Sequence, residues 1–330
     1  MGGSVIRWFD IAEKRRKLKS VSIFIGARGV GKTYSAISYV LQFDRPFIYL
    51  RNTDVQIQEC CTAFGNPFKR WALDHDRDIF IKKEGKHANI YERSGDDEVR
   101  ILGYACALST FENLRGIDLS DVGYVLYDEF IEQNPLRFKQ FDTFSNFYET
   151  VNRNRELTGE APLQVIMLSN AQKLDNDILR GYGLVSEIEN MIRNGRKEYS
   201  RKFLYFCMAE SEVSKLKEET ALYQNSKGSA FYDQAIKNEF SNENFTGIKK
   251  QPLSEYKGIA KFDALYIYEH KALQKIYICT SRCVNVPEYS SANPYIFMRY
   301  FSPKLAAAYA GGVLFFESFT VKSQIIDFII

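Results

Sequence analysis

Gly26-Ala27-Arg28-Gly29-Val30-Gly31-Lys32-Thr33 fits the pattern G-x-x-x-x-G-K-[ST] at every position. Its surroundings fit as well. Residues 21–25 form an apolar run of buried-strand type, residues 32–43 have helical spacing, and Pro46 follows the end of that stretch. Glycines let the backbone curl so that successive N–H groups point at phosphate oxygens. The N-terminus of the following helix favours the same negative charge. Lys32 is placed to reach the β- and γ-phosphates of a nucleotide, and Thr33 to ligate Mg²⁺. The whole loop, Gly26, Ala27, Arg28, Gly29, Val30, Gly31, Lys32 and Thr33, is thus the candidate nucleotide-binding segment.

Outward from this loop, residues 47–50 read as a second strand, and 122–127 and 165–168 are short apolar runs of buried-strand type. Residues 79–82 and 89–92 look like a small hairpin. Strands alternating with helical stretches imply an α/β fold, a parallel sheet with helices on both faces. The run 122–127 ends in Asp128-Glu129. Asp128 is the candidate Mg²⁺ carboxylate, and Glu129 is placed to polarise an attacking water. The run 165–168 ends in Ser169-Asn170, either of which could hydrogen-bond the γ-phosphate or the lytic water. Loop strand, another strand, carboxylate strand and sensor strand is the chain order of the additional-strand, catalytic-glutamate class of P-loop ATPases. No guanine-reading N-K-x-D stands in the sequence, which favours ATP. Arg153-Asn154-Arg155 lies between the carboxylate and sensor strands, after an aromatic-rich helical stretch at 138–152. Arg153 and Arg115 are candidates for a cation that stabilises transition-state charge in a neighbour's site, although any single arginine also suits a surface salt bridge.

The chain of 330 residues is too long for most single cores and suggests two domains. Its expected division is a P-loop ATPase domain at 1–197, a linker or lid subdomain at 198–228 and a C-terminal α+β domain at 229–330. A net charge of +3 makes any basic surface local rather than global. The six cysteines form no C-x-x-C pair and only three histidines are present, so the sequence shows no zinc spacing. The longest apolar run, 305–316, falls short of the ~20 residues that span a bilayer.

These stretches together closely resemble the genome-packaging ATPase of phi29-like tailed bacteriophages. The resemblance rests on Phe24-Ile25-Gly26-Ala27-Arg28-Gly29-Val30-Gly31-Lys32, Phe47-Ile48-Tyr49-Leu50-Arg51, Asp128-Glu129-Phe130-Ile131, Arg153-Asn154-Arg155-Glu156 and Leu168-Ser169-Asn170-Ala171. It extends to Lys304-Leu305-Ala306, Ala308, Gly312, Leu314 and Phe316 near the C-terminus. It implies a ring motor, usually a homopentamer, docked on the portal of an empty capsid and driving double-stranded DNA inside with ATP and Mg²⁺. Its site of action would be the cytoplasm of the infected bacterium, transiently at the capsid portal vertex, with no membrane partner. Arg153 matches the family's trans-acting finger. Arg115 stands where the family has a second trans-acting basic residue, there a lysine, so charge is kept and geometry changed. The resemblance also implies a vestigial RNase H-like nuclease fold for the C-terminal domain. In phi29 itself a structural RNA sits between capsid and motor, and nothing in this sequence shows such a packaging RNA.

Other readings have visible requirements. A terminase- or helicase-like motor with an active nuclease needs clustered carboxylates. Asp263, Glu269, Glu288 and Asp327 are scattered, and the basic Lys249, Lys250, Lys257, Lys261 and Arg282 fit a docking or nucleic-acid surface better. A nucleotide-dependent regulatory switch does not need both Glu129 and the arginine pair. Arg137 and Lys139, past the carboxylate strand, are candidates for sequence-independent contacts to DNA phosphates.

Overall fold

The structure, a computed structural model, describes residues 6–85, 87–95, 98–114, 119–132, 136–171, 174–227 and 247–330. The chain divides into two compact units, Met1–Gly181 with Asn194–Asn242, and Tyr182–Arg193 with Glu243–Ile330. The first unit runs β1 (Val21–Gly26), α1 (Lys32–Val40), β2 (Phe47–Arg51), α2 (Asp54–Cys60), α3 (Lys69–Asp74), β3 (Asp78–Glu84), β4 (His87–Ser94) and β5 (Glu98–Ala107). It continues through β6 (Tyr124–Asp128), α4 (Gln140–Asn152), α5 (Arg155–Thr158), β7 (Gln164–Asn170) and α6 (Asp177–Gly181). The helix α7 (Val185–Arg193) belongs to the second unit. The chain then returns to the first unit with β8 (Glu198–Arg201), β9 (Leu204–Ala209), α8 (Val213–Glu218) and α9 (Ala221–Asn225).

Among the described residues the first unit has one nine-stranded sheet in the order β3-β4-β5-β2-β6-β7-β1-β9-β8. From β5 to β9 each neighbouring pair is parallel. The edges, β3–β4, β4–β5 and β8–β9, are antiparallel. Every residue of β1 is buried, as are nearly all of β6 and β7. That is why these strands read as unbroken apolar runs: both faces are covered by helices. The sensor strand β7 lies between the loop strand β1 and the carboxylate strand β6.

The parallel register decides where the site lies. Gly26 pairs with Asn170 on one side and Ala209 on the other, Asp128 pairs with Leu168, and Leu50 with Tyr127. The carboxyl ends of β2, β6, β7, β1 and β9 therefore share one rim, where open α/β sheets bind their ligands. Two strands differ from the sequence expectation. Residues 198–209, expected to open a linker, form β8 and β9 and complete the sheet. Their charges sit at the turn, where Arg201, Lys202 and Phe203 are exposed, while Leu204, Tyr205, Phe206 and Cys207 are buried. The boundary expected at residue 228 lies outside the described residues.

The second unit holds β10 (Tyr256–Phe262), β11 (Leu265–His270), β12 (Ile276–Cys279), β13 (Glu288–Tyr289) and β14 (Leu314–Phe316), in the order β13-β10-β11-β12-β14. β10, β11 and β12 form an antiparallel meander, with β13 and β14 parallel to their neighbours. Its core includes Phe262, Ile267, Ile278, Phe297, Leu305, Phe316 and Ile325. No helix among the described residues is long and apolar enough to cross a membrane.

Candidate functional site

The rim opens into a cleft lined by Arg28, Gly29, Gly31, Lys32, Thr33, Tyr34, Asp128, Glu129, Ser169 and Asn170. The glycine loop, the two carboxylates and the sensor pair, each read from a separate stretch of sequence, thus meet in one place. The loop turns through Gly29 (φ +72°) and Gly31 (φ +101°), and α1 starts immediately after. A side chain at Gly31 would be strained by that φ.

Lys32 is buried and bends back on the loop. Its Nζ donates to Gly26 O and Ala27 O, each at 2.8 Å, and to Asn170 Oδ1 at 3.1 Å. Burial pulls its ammonium down to about 8, and the nearby Lys217 cation adds to this against the pull of Asp128 and Glu129. A buried ammonium whose acceptors are two carbonyls and an amide is under-compensated. A phosphate anion would supply what these neutral acceptors cannot.

Across the cleft Thr33 Oγ1 donates to both oxygens of Asp128, at 3.3 and 3.2 Å, and Tyr49 OH donates to Oδ2 at 2.9 Å. Asp128 is 5% exposed, and burial holds its carboxyl above the ordinary range despite Arg51. A hydroxyl and a buried carboxylate side by side are a hard-oxygen pair of the kind Mg²⁺ takes. Glu129 is the next residue, at φ +53°, a conformation that costs a non-glycine residue energy and is typical of functional sites. Its carboxylate is half-exposed and accepts from Arg51 Nη2 at 2.5 Å. Ser169 Oγ accepts from Ile131 N at 3.3 Å, so it holds the turn after Glu129, and Asn170 alone of the sensor pair reaches Lys32.

Of the arginine candidates, Arg153 is the exposed C-cap of α4 at φ +40° and is not among the residues lining the cleft. Arg155 is buried, and its guanidinium donates to Val122 O, Leu119 O and Ser120 O at 2.6, 3.2 and 3.0 Å. Arg115 lies outside the described residues. Arg137 and Lys139 are exposed.

Two groups were missed by sequence reasoning. Arg51 ends β2 and holds Glu129. Lys217, on α8, donates to Arg28 O at 2.6 Å and lies over Gly29, where a Cβ would come within 2.4 Å of its Nζ. Arg51 stands in a stretch that carries the resemblance but was given no role, and Lys217 belongs to no motif.

Three of the scattered acidic residues of the second unit, Asp263, Glu269 and Glu288, have local partners. Asp263 sits at a turn (φ +49°) and accepts from Ser291 N at 3.1 Å, while Glu288 pairs with Lys261 and Glu269 with Lys304. Among the described residues no three His, Cys, Asp or Glu side chains cluster as a metal site. The six cysteines are free.

The family model for podovirus DNA encapsidation proteins (Gp16) matches residues 8–280. Among solved structures, the Phi-28 gp11 DNA packaging motor superposes with a TM-score of 0.59 at 18% identity, covering 98% of this chain and 97% of that one. The bacteriophage Phi-29 viral genome packaging motor assembly superposes with a TM-score of 0.64 at 17% identity, covering 97% and 98%. At such identities the likeness speaks for a shared fold. No curated protein matches the chain.

Proposed function

We propose, on the premise that the chain belongs to the podovirus DNA encapsidation protein (Gp16) family, that it hydrolyses ATP to drive double-stranded DNA into a preformed capsid. The observation that carries this reading is the meeting of Lys32, Thr33, Asp128, Glu129 and Asn170 in one cleft at the sheet rim. β7 between the loop and carboxylate strands supports the additional-strand, catalytic-glutamate class.

In this reading the loop amides from Gly26 to Thr33 cradle the phosphates. Lys32 exchanges its carbonyl acceptors for phosphate oxygens. Magnesium, held by the Thr33 hydroxyl and through water by Asp128, would neutralise charge on the β- and γ-phosphates. Glu129 orients a water and takes its proton at the carboxylate, and Asn170 holds the γ-phosphate or that water. The nucleoside leaves the loop past Gly31 toward a cleft lined by Trp8, Phe9, Tyr34 and Ser38, which offers aromatic faces for a base. Arg153, exposed and outside the lining of its own cleft, serves a neighbour's ATP in a ring, a role the family pattern also gives to Arg115. Such a ring, of five subunits in the family pattern, would dock on the capsid portal in the host cytoplasm, with or without a packaging RNA. Arg137 and Lys139 would touch DNA phosphates without reading sequence. The mixed sheet of the second unit fits a vestigial nuclease fold, and its dispersed carboxylates fit loss of cutting.

ATP-dependent uptake of DNA into purified empty capsids, scored as nuclease-protected DNA, tests the proposal. Uptake should need ATP, Mg²⁺ and intact Lys32. Unchanged uptake by Lys32→Ala would refute it.

A further inference from the structure

Helix α4 is fastened at its start to the end of the carboxylate strand β6, and the short α5 that follows it is fastened to the segment ahead of β6. At its start, Gln140 is 1% exposed, and its amide Nε2 donates to Phe130 O (2.6 Å), Tyr127 OH (2.8 Å) and Asn52 Oδ1 (2.9 Å). Its Oε1 accepts from Asn176 Nδ2 at 3.1 Å. Asn52 and Tyr127 are fully buried, and the Tyr127 hydroxyl donates to Asn52 Oδ1. Asn52 Nδ2 then donates to the backbone carbonyl of Glu129 at 3.1 Å and to Glu132 Oε1 at 2.8 Å. The residue before Asn52 is Arg51, which holds the Glu129 carboxylate. At the far end of α4 stands Arg153, and two residues on Arg155 grips the carbonyls of Leu119, Ser120 and Val122, just ahead of β6.

Between these fastenings the helix is packed along one face. Its 13 residues span ~20 Å. Phe144, Phe147 and Val151 repeat at helical spacing on its buried face, and Phe144 stacks on Tyr127 at 5.8 Å. Both residues that flank this rod-and-strand unit functionally, Glu129 and Arg153, hold positive φ without being glycine. A buried polar network of this kind is not needed for packing, since apolar residues fill such a space at less cost. What it adds is directional linkage, because hydrogen bonds hold the groups they join at set distances and angles.

We infer that Gln140 is a positioning residue that ties helix α4, and the Arg153 it carries, to the backbone of Glu129 in the same subunit. A shift at Glu129 would then move the arginine presented to the next site. The inference rests on the roles proposed above for Glu129 and Arg153.

Mixed rings of full-length chains test it, with tag pull-down to confirm mixing. Lys32→Ala supplies a finger and no working loop; Arg153→Ala supplies a loop and no finger. Together they should recover ATPase above the sum of the two alone. Placing Gln140→Met in the Lys32→Ala chain leaves Arg153 present and asks only whether it still serves the neighbour. Recovery should fall by about tenfold, within the usual range of coupling between sites, with the KM of the Arg153→Ala loop unchanged. Recovery undiminished by Gln140→Met would overturn the inference and leave Gln140 a local packing group. No recovery in the control pair would remove the finger reading and this inference with it. If the Gln140→Met chain fails to enter rings, Tyr127→Phe takes its place, keeping the ring on Phe144 and removing one network hydroxyl. The same loss is expected, and full recovery would overturn the inference.

Discussion

Replacing Arg155 with methionine should unsettle the fold, whereas replacing Arg153 with glycine should steady it and stop turnover. Arg155 is 5% exposed and its guanidinium serves three carbonyls before β6. Methionine keeps the stem and strands those acceptors. Hydrogen bonds to charged groups and stranded buried acceptors are each worth about 1–3 kcal/mol, and the buried cation has its own desolvation cost to offset, so a net loss of about 2–4 kcal/mol is expected. At about 2–4 °C per kcal/mol for a unit of this size, that lowers the melting temperature by roughly 4–16 °C. Arg153 is exposed, and its φ of +40° with ψ of 159° is a region that glycine alone enters cheaply. Arg153→Gly should therefore raise stability by about 1 kcal/mol, the strain relieved minus glycine's extra chain entropy. Turnover should fall by about 10³–10⁵ if Arg153 is a finger. Calorimetry and steady-state ATPase on the two variants decide the matter. A stable, inactive Arg155→Met beside an unstable or active Arg153→Gly would refute the division of labour.

Lys32→Ala should weaken ATP binding, while Glu129→Gln should bind ATP and trap it; equilibrium binding and single-turnover hydrolysis separate the two, and wild-type turnover by Glu129→Gln would exclude it as the base. Lys217→Met should raise the Kd for ATP by about 2–5-fold, a partly screened cation on the loop being lost. It should also soften the effect of Gly29→Ala, whose new Cβ meets Lys217 Nζ. Glu92 accepts from Arg77 and Arg100, and these bonds, Arg77's first, hold its carboxyl below the ordinary range against burial. A lowered carboxyl stabilises the fold above the unfolded value of about 4.3 and stops doing so as pH falls through the folded one. Urea midpoints should thus place Glu92→Gln about 1–2 kcal/mol below wild type at pH 7 and level with it in acid.

The sheet was legible where strands are buried on both faces. β1, β2, β6 and β7 announce themselves because their central residues are nearly all apolar and buried on both faces. β5 was missed although it lies inside the sheet: its first half, Glu98–Ile101, is exposed and its second half carries Gly103, so neither period nor run stands out. β10 was hidden in the same way by Lys257, Gly258 and Lys261 and by a register shift between Gly258 and Ala260. β9 has a clear apolar run, but it lies within the stretch expected to be a linker, and the charged Arg201 and Lys202 just before it form the β8–β9 turn.

The site divides along a different line. Groups proposed to touch the ligand are restricted in type by chemistry, so Lys32, Thr33, Asp128 and Glu129, which line one cleft, could be picked out from residue identity and strand context. Groups that position them are restricted by geometry alone. Arg51 can hold Glu129 only because β2 and β6 run parallel and in register, Leu50 beside Tyr127, which carries Arg51 to the same rim as the carboxylates. Gln140 and Asn52 lie 88 residues apart and meet only once α4 has folded back along β6. In a linear reading each is one more polar residue at an element's end. Arg153 and Arg155 show the limit most sharply: two residues apart and identical in type, they differ completely in burial. Arg153 is exposed at the end of α4, whereas Arg155 is buried and donates to the backbone ahead of β6. Residue type proposes which groups can do the chemistry; register and helix placement decide which of them are free to do it.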